Sequence, residues 1–164
     1  MHPGETPGGH TERLAREKAS AVADANSRTI TIAADTIVVV DGEVLGKPAD
    51  AHVAARMLRL LSGRDHTVLT AVAVSRGGEL RSSVEEVGVT FRHLDDGEIE
   101  NYIATGEPMD KAGAYGIQGF GATIVERVEG DYFAVMGLPL VRLVALLEEV
   151  GVTYKFGRLE ATAL

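Results

Sequence analysis

The chain has no cysteine and no tryptophan, and aromatic residues make up only 5% of its 164 positions. Without thiols there is no disulfide framework and no cysteine-based zinc site, and the composition suits a reducing compartment. With so few rings, a core must be built from Val, Leu, Ile and Ala, and 45% hydrophobic residues suffice for one domain spanning residues 1–164. Basic residues are also scarce: 16 Lys and Arg stand against 24 Asp and Glu, a formal charge of -8 and a pI of about 5.1. Nucleic-acid duplexes and anionic membranes demand a basic face, so neither is expected as a partner. A small phosphorylated ligand is still allowed, because a few lysines in one cleft bind triphosphate whatever the net charge. No apolar run approaches the roughly 20 residues of a membrane span, and no basic and then apolar leader opens the chain. A soluble cytoplasmic protein is expected.

Several motifs are missing too. There is no Gly-x-x-x-x-Gly-Lys-Ser/Thr, no Gly-x-Gly-x-x-Gly after a strand, no His-Glu-x-x-His and no serine in a nucleophile-elbow context. The five histidines are scattered without metal-ligand spacing and read as surface or structural residues.

What is present centres on Ile30 to Pro48. Apolar and β-branched residues flank Asp35 on both sides, so the stretch reads as a buried strand carrying one carboxylate. A buried carboxylate needs a hydrogen bond, a cation, a metal or a substrate to hold it. Asp41-Gly42 suits a type I′ hairpin turn, after which Gly46-Lys47-Pro48 returns a cation towards the same region. Spacing alone fits equally well Asp35 and Lys47 facing one cavity, or Asp35 capping a strand end with Lys47 solvated.

Along the rest of the chain, Met1 to His10 reads as a tail. Thr11 is expected to cap a helix whose Leu14, Ala15, Lys18, Ala19 and Val22 share a face, with Lys18 either snorkelling or functional. Asp50 caps a second helix ending at Ser62-Gly63. Two long strands, Thr67 to Ser75 and Ser82 to Arg92, form a hairpin, and Asp95 or Asp96 caps a third helix. Gly106 to Gly121 is glycine-rich, is expected to have little regular structure, and carries Glu107, Asp110, Lys111, Tyr115 and Gln118. A strand over Ala122 to Val128, a turn at Glu129-Gly130-Asp131, a helix opened by Leu138-Pro139 and a short strand over Val152 to Phe156 complete the reading, with a frayed remainder. The alternation of hairpins and helices predicts a mixed α/β (α+β) fold.

Taken together, Leu14-Ala-Arg-Glu-Lys18-Ala, Ala34-Asp35-Thr36-Ile-Val, Asp41-Gly-Glu-Val-Leu-Gly46-Lys47-Pro48, Leu61-Ser-Gly, Gly106-Glu-Pro-Met-Asp-Lys111-Ala-Gly-Ala-Tyr115-Gly-Ile-Gln118-Gly and Gly137-Leu-Pro resemble the Maf nucleoside triphosphate pyrophosphatases. The resemblance runs from Leu14 to Val150 in the family's order. It implies an elongated mixed sheet flanked by helices, with a central cleft, similar to inosine-triphosphate pyrophosphatases. It also implies hydrolysis of a nucleoside triphosphate between its α- and β-phosphates with a divalent cation, Mg²⁺ or Mn²⁺. By resemblance Asp35 is the proton acceptor, while Thr36 and Gln118 influence base choice. Ala-Asp-Thr with Tyr-Gly-Ile-Gln-Gly marks the subfamily acting on dTTP and UTP.

The chemistry fits: attack on a negatively charged α-phosphorus needs cations for the oxygens and a base for the proton. Lys18, Lys47 and Lys111 are candidate phosphate-binding cations. Glu107 and Asp110 are candidate supports for metal or lysine, and the sequence leaves Asp35 open between base and metal ligand. The family's dimers allow a homodimer.

Three departures stand out. The first strand, the Ser-x-Ser-Pro-Arg-Arg loop and the acidic pair expected near the start are absent, and Glu5 lies too close to Leu14 to replace them. Ala71 and Ala134 stand where the family usually has Gly and Asn. A longer natural protein with an upstream start is the expectation favoured here. The competing reading is a catalytically impaired nucleotide-binding or regulatory protein linked to septum formation.

Overall fold

The run of Ile, Thr and Val after Thr29 favours extended backbone, because β-branched side chains are stiff and pack well on a pleated surface. It forms β1, Ile30–Val40, which turns through Asp41 and Gly42, at φ of 50° and 79°, into β2, Glu43–Leu45. Val38 pairs with Leu45 and Val40 with Glu43 in the type I′ hairpin expected. The structure, a computed structural model, describes residues 1–23 and 29–162.

The hairpin of β3, Asp65–Arg76, and β4, Glu79–Phe91, turns at Gly77 and Gly78, both at positive φ. β5, Val125–Glu129, pairs antiparallel with β4, Gly88 opposite Glu129. These strands make one antiparallel sheet in the order β2-β1-β3-β4-β5. Helices α1 (Pro7–Val22), α2 (Ala51–Leu61), α3 (Asp96–Ala104), α4 (Tyr132–Val135) and α5 (Leu140–Glu149) accompany it, so the mixed α/β reading holds. The chain divides into two compact units: Met1–Asp35, Thr70–Glu85 and Gly137–Leu164 form one, Thr36–Leu69 and Glu86–Met136 the other.

In the first unit β3 is covered on both faces, as strand alternation allows. Ala71 and Ala73 meet Ala15 and Ala19 of α1, whereas Val72 and Val74 meet Leu146, Leu147 and Val150 at the end of α5. Arg76, 4% exposed, donates to the carbonyls of Val150, Gly151 and Thr162 at 2.8, 3.2 and 2.7 Å. The first two carbonyls lie at the electronegative C-terminal end of α5, which favours the guanidinium.

The second unit has one core, in which Val38, Leu45, Leu58, Leu61, Phe91 and Ile99 are buried. Its helices α2 and α3 are capped as read from sequence. Asp50 accepts the Val53 amide at 2.8 Å, and Asp95 and Glu98 form a reciprocal capping box. His66 is buried with its ring edge-on to Phe91 and Tyr115, and its Nε2 shares a 2.8 Å hydrogen bond with the Tyr115 hydroxyl.

Four expectations are corrected. The first helix begins at Pro7 rather than after Thr11. Gly8 and Gly9 fall in a first turn whose amides lack helical partners anyway, and Thr6 caps it by accepting the Gly9 amide at 3.1 Å. Glu5, which takes Arg13 at 2.8 Å, pins this start; Thr11 is buried inside the helix, and Val22 is exposed instead of joining the buried face. Residues 119–123 form a 3₁₀ turn, so the strand expected from Ala122 starts at Val125. Asp131 opens a short helix, α4, where only a turn was expected. Finally, β6, Val152–Tyr154, pairs with β7, Leu159–Ala161, so the tail is a hairpin rather than frayed; residues 163–164 lie outside the described residues.

His66 generates a pH prediction. Burial pushes it from 6.5 down to about 4, against the Arg64 carbonyl and the Asp65 charge, which pull it up. A histidine kept neutral by the fold binds fewer protons than it does unfolded. Its stabilisation is therefore complete above 6.5 and is lost as pH falls towards 4, with a slope of at most about 1.4 kcal/mol per pH unit. Urea unfolding between pH 7 and 4.5 is expected to show His66→Gln losing stability on acidification less steeply than the parent chain.

Candidate active site

In the first unit, Lys18 donates to Asp35 Oδ1 at 2.5 Å and to the Ala34 carbonyl at 3.2 Å. The sequence of α1 explains the placement. Ala15 and Ala19 are fully buried against Ala71 and Ala73, which fixes the helix, while the Lys18 side chain stays 54% exposed. Asp35 keeps 14% of its side chain exposed, so its carboxylate is paired yet reachable by water. Lys18 is thus more than a snorkelling helix edge.

In the second unit, the amide of Gly113 donates to the Gly46 carbonyl at 3.1 Å, tying the glycine-rich segment to the residue before Lys47. Gly113 must be glycine: its φ is 69° and a Cβ would lie 2.9 Å from Val38 Cγ2. Lys111 donates to Asp110 Oδ1 at 2.6 Å and to the Glu107 carbonyl at 3.0 Å. The hydrogen bond from Lys111, its charge and the charge of Lys47 hold the Asp110 carboxyl below its ordinary range. Lys47 and Gln118 are exposed, and Thr36, next after Asp35 in β1, is half-buried.

The segment is more ordered than expected, with 3₁₀ turns at Glu107–Asp110, Ala112–Ala114 and Gly119–Thr123. Glu107 is its hub. Oε1 accepts from the Tyr102 hydroxyl and the Gly121 amide, each at 2.9 Å, and Oε2 accepts from the Phe120 amide at 2.9 Å. Desolvation pushes this carboxyl up, but the two amides, the hydroxyl and the Lys111 charge outweigh it and hold it below its ordinary value. Tyr102 was legible from sequence only as an apolar helix position. The available signal is a phenol where a phenylalanine would fill the core as well.

Among the described residues no three His, Asp or Glu side chains gather as a metal site. Mg²⁺ or Mn²⁺ bridging phosphate oxygens needs only one or two protein carboxylates, and the partly exposed Asp35 fits that need. Glu107 fits poorly, since both its oxygens already accept hydrogen bonds.

Residues 2–150 match the family described as Maf-like protein. The chain belongs to the Maf family. It is similar to the dTTP/UTP pyrophosphatase of Bacillus pumilus, 48% identical over 148 residues, which cover 90% of this chain and 78% of that protein. The enzyme of the same name from Moorella thermoacetica is 53% identical over 148 residues, covering 89% and 76%. That of Chromobacterium violaceum is 50% identical over 160 residues, covering 92% and 79%. The Maf match contains all eight residues singled out above: Lys18, Asp35, Thr36, Lys47, Glu107, Asp110, Lys111 and Gln118.

The Maf glycine pattern has a steric test. A Cβ on Gly121 would lie 2.0 Å from the Gly116 carbonyl oxygen and 2.6 Å from the Tyr102 hydroxyl. The first clash is with backbone, so Gly121→Ala is expected to cost about 2 kcal/mol or more, read as a lower urea midpoint with unchanged m-value.

Proposed function

We propose that this chain is a nucleoside triphosphate pyrophosphatase that hydrolyses dTTP and UTP to the monophosphate and pyrophosphate. The reading is supported by relatives 48 to 53% identical across about nine-tenths of the chain, each named dTTP/UTP pyrophosphatase. No helix among the described residues is long and apolar enough to cross a membrane. The reaction is proposed to run in the cytoplasm, and a homodimer belongs to the same reading.

Asp35 takes the proton of the attacking water. Its remaining exposure gives that water access, and Lys18 orients the carboxylate. Lys47 and Lys111 bind phosphate oxygens and offset charge that grows on the leaving pyrophosphate. Thr36 and Gln118 select the pyrimidine base. A bound Mg²⁺ or Mn²⁺, with Asp35 as a ligand candidate and Asp110 as a weaker one, supplies further neutralisation of phosphate oxygens.

Pyrophosphate release from dTTP is the test. Asp35→Asn keeps the shape of the side chain and leaves only the half-exposed Lys18 unpaired, so its thermal midpoint is expected to stay close to the parent's. Its rate is expected to fall by about 10² to 10⁴. Unchanged turnover would remove Asp35 as the base. Calorimetric binding of dTTP by the parent chain without turnover would instead select the regulatory reading.

A further inference from the structure

The segment carrying Gln118 is fastened at both ends to one pair of side chains. At its start, the Gly116 amide donates to the Tyr102 hydroxyl at 3.1 Å; at its end, the Phe120 and Gly121 amides donate to Glu107. The same Tyr102 hydroxyl donates to Glu107, so the two fastenings form one network. Gln118 sits between them with its side chain exposed.

Of the side chains between Gly116 and Gly121, Ile117 is packed, at 7% exposed. Phe120 is 65% exposed, and a cavity of about 270 Å³ lined by Leu94, Ile99, Tyr102, Phe120 and Ile124 borders it. Its glycines are placed where the network demands them. A Cβ on Gly119 would lie 2.4 Å from Glu107 Oε2 at a φ of 64°, and a Cβ on Gly121 would strike the Gly116 carbonyl. Two backbone amides and a phenol take three of the roughly four lone-pair sites of the Glu107 carboxylate and leave one, on Oε2, for any cation; such charge-assisted bonds are the strong ones.

We propose that Glu107, with Tyr102, is a positioning residue that shapes the Gly116 to Gly121 segment around its carboxylate and thereby sets how Gln118 meets the base, rather than a metal ligand. The proposal rests on the reading above that Gln118 takes part in base choice. Glu107 itself does not touch substrate in this scheme. Removing its charge leaves the chemistry intact and blurs the choice between pyrimidines.

The test uses Glu107→Gln and Tyr102→Phe in the full chain. Glu107→Gln turns one acceptor into a donor facing a backbone amide; Tyr102→Phe removes one hydroxyl and is the variant to use if Glu107→Gln does not fold. In either variant, amide hydrogen exchange at Gly116, Phe120 or Gly121 is expected to quicken by about tenfold or more, while exchange in β3 is unchanged. The ratio of kcat/KM for dTTP over dCTP is expected to fall by about tenfold, with the half-saturating Mg²⁺ concentration within about twofold of the parent's. Unchanged exchange together with an unchanged ratio would overturn the proposal. So would a large rise in the Mg²⁺ requirement with selectivity intact, which would make Glu107 a metal support. If the parent chain releases no pyrophosphate from dTTP, the proposed function fails by itself, and the exchange measurements still decide whether Glu107 holds the segment.

Discussion

The ion pair between Lys18 and Asp35 is the interaction on which the rest of the candidate chemistry depends. An aspartate set in a strand of β-branched residues loses most of its water, and an uncompensated carboxylate there would protonate or destabilise the strand. The amine compensates it from a helix seated by alanine contacts on β3 and by the Arg16, Ser82 and Glu12 hydrogen bonds. The lysine remains half exposed and the carboxylate slightly so, and the pair is formed without being sealed.

The glycine-rich segment solves a related problem by different means. Its backbone cannot join a sheet or a long helix, so its amides need other acceptors. Glu107 takes two of them, the Tyr102 hydroxyl a third, and the Gly46 carbonyl a fourth. Glycine is required where the backbone approaches these groups or Val38 too closely for a side chain. The result is a loop of defined shape, packed through Ala114, Tyr115 and Ile117 and held at its end by Glu107, that leaves Gln118 exposed.

Much of this was legible from the chain itself, and the reasons are local. The Asp41-Gly42 turn, the Asp50 and Asp95 caps and the β3 to β4 hairpin each depend on a few adjacent residues, and each appears as read. The start of α1 was misplaced because two glycines argue against a helix interior, whereas in the first turn their cost is small. Only the first strand of the tail hairpin is legible in the sequence, because each strand is three residues long and the anchoring depends on distant Arg76. Glu107 reads in the sequence as a candidate metal support, whereas the structure gives both its oxygens to hydrogen bonds. Its partners are backbone amides, which every residue but proline possesses, and nothing in residue identity marks which of them will converge.

The four alanines that join α1 to β3 have one more implication. Methyl groups at Ala15, Ala19, Ala71 and Ala73 act as a spacer of fixed thickness between helix and strand, and the reach of the Lys18 amine is measured from that spacer. A heavier side chain at any of the four would work as a shim, lifting the amine off its carboxylate without altering either group. Drift in this seam can therefore retune an electrostatic contact through residues that have no polar side-chain atom of their own.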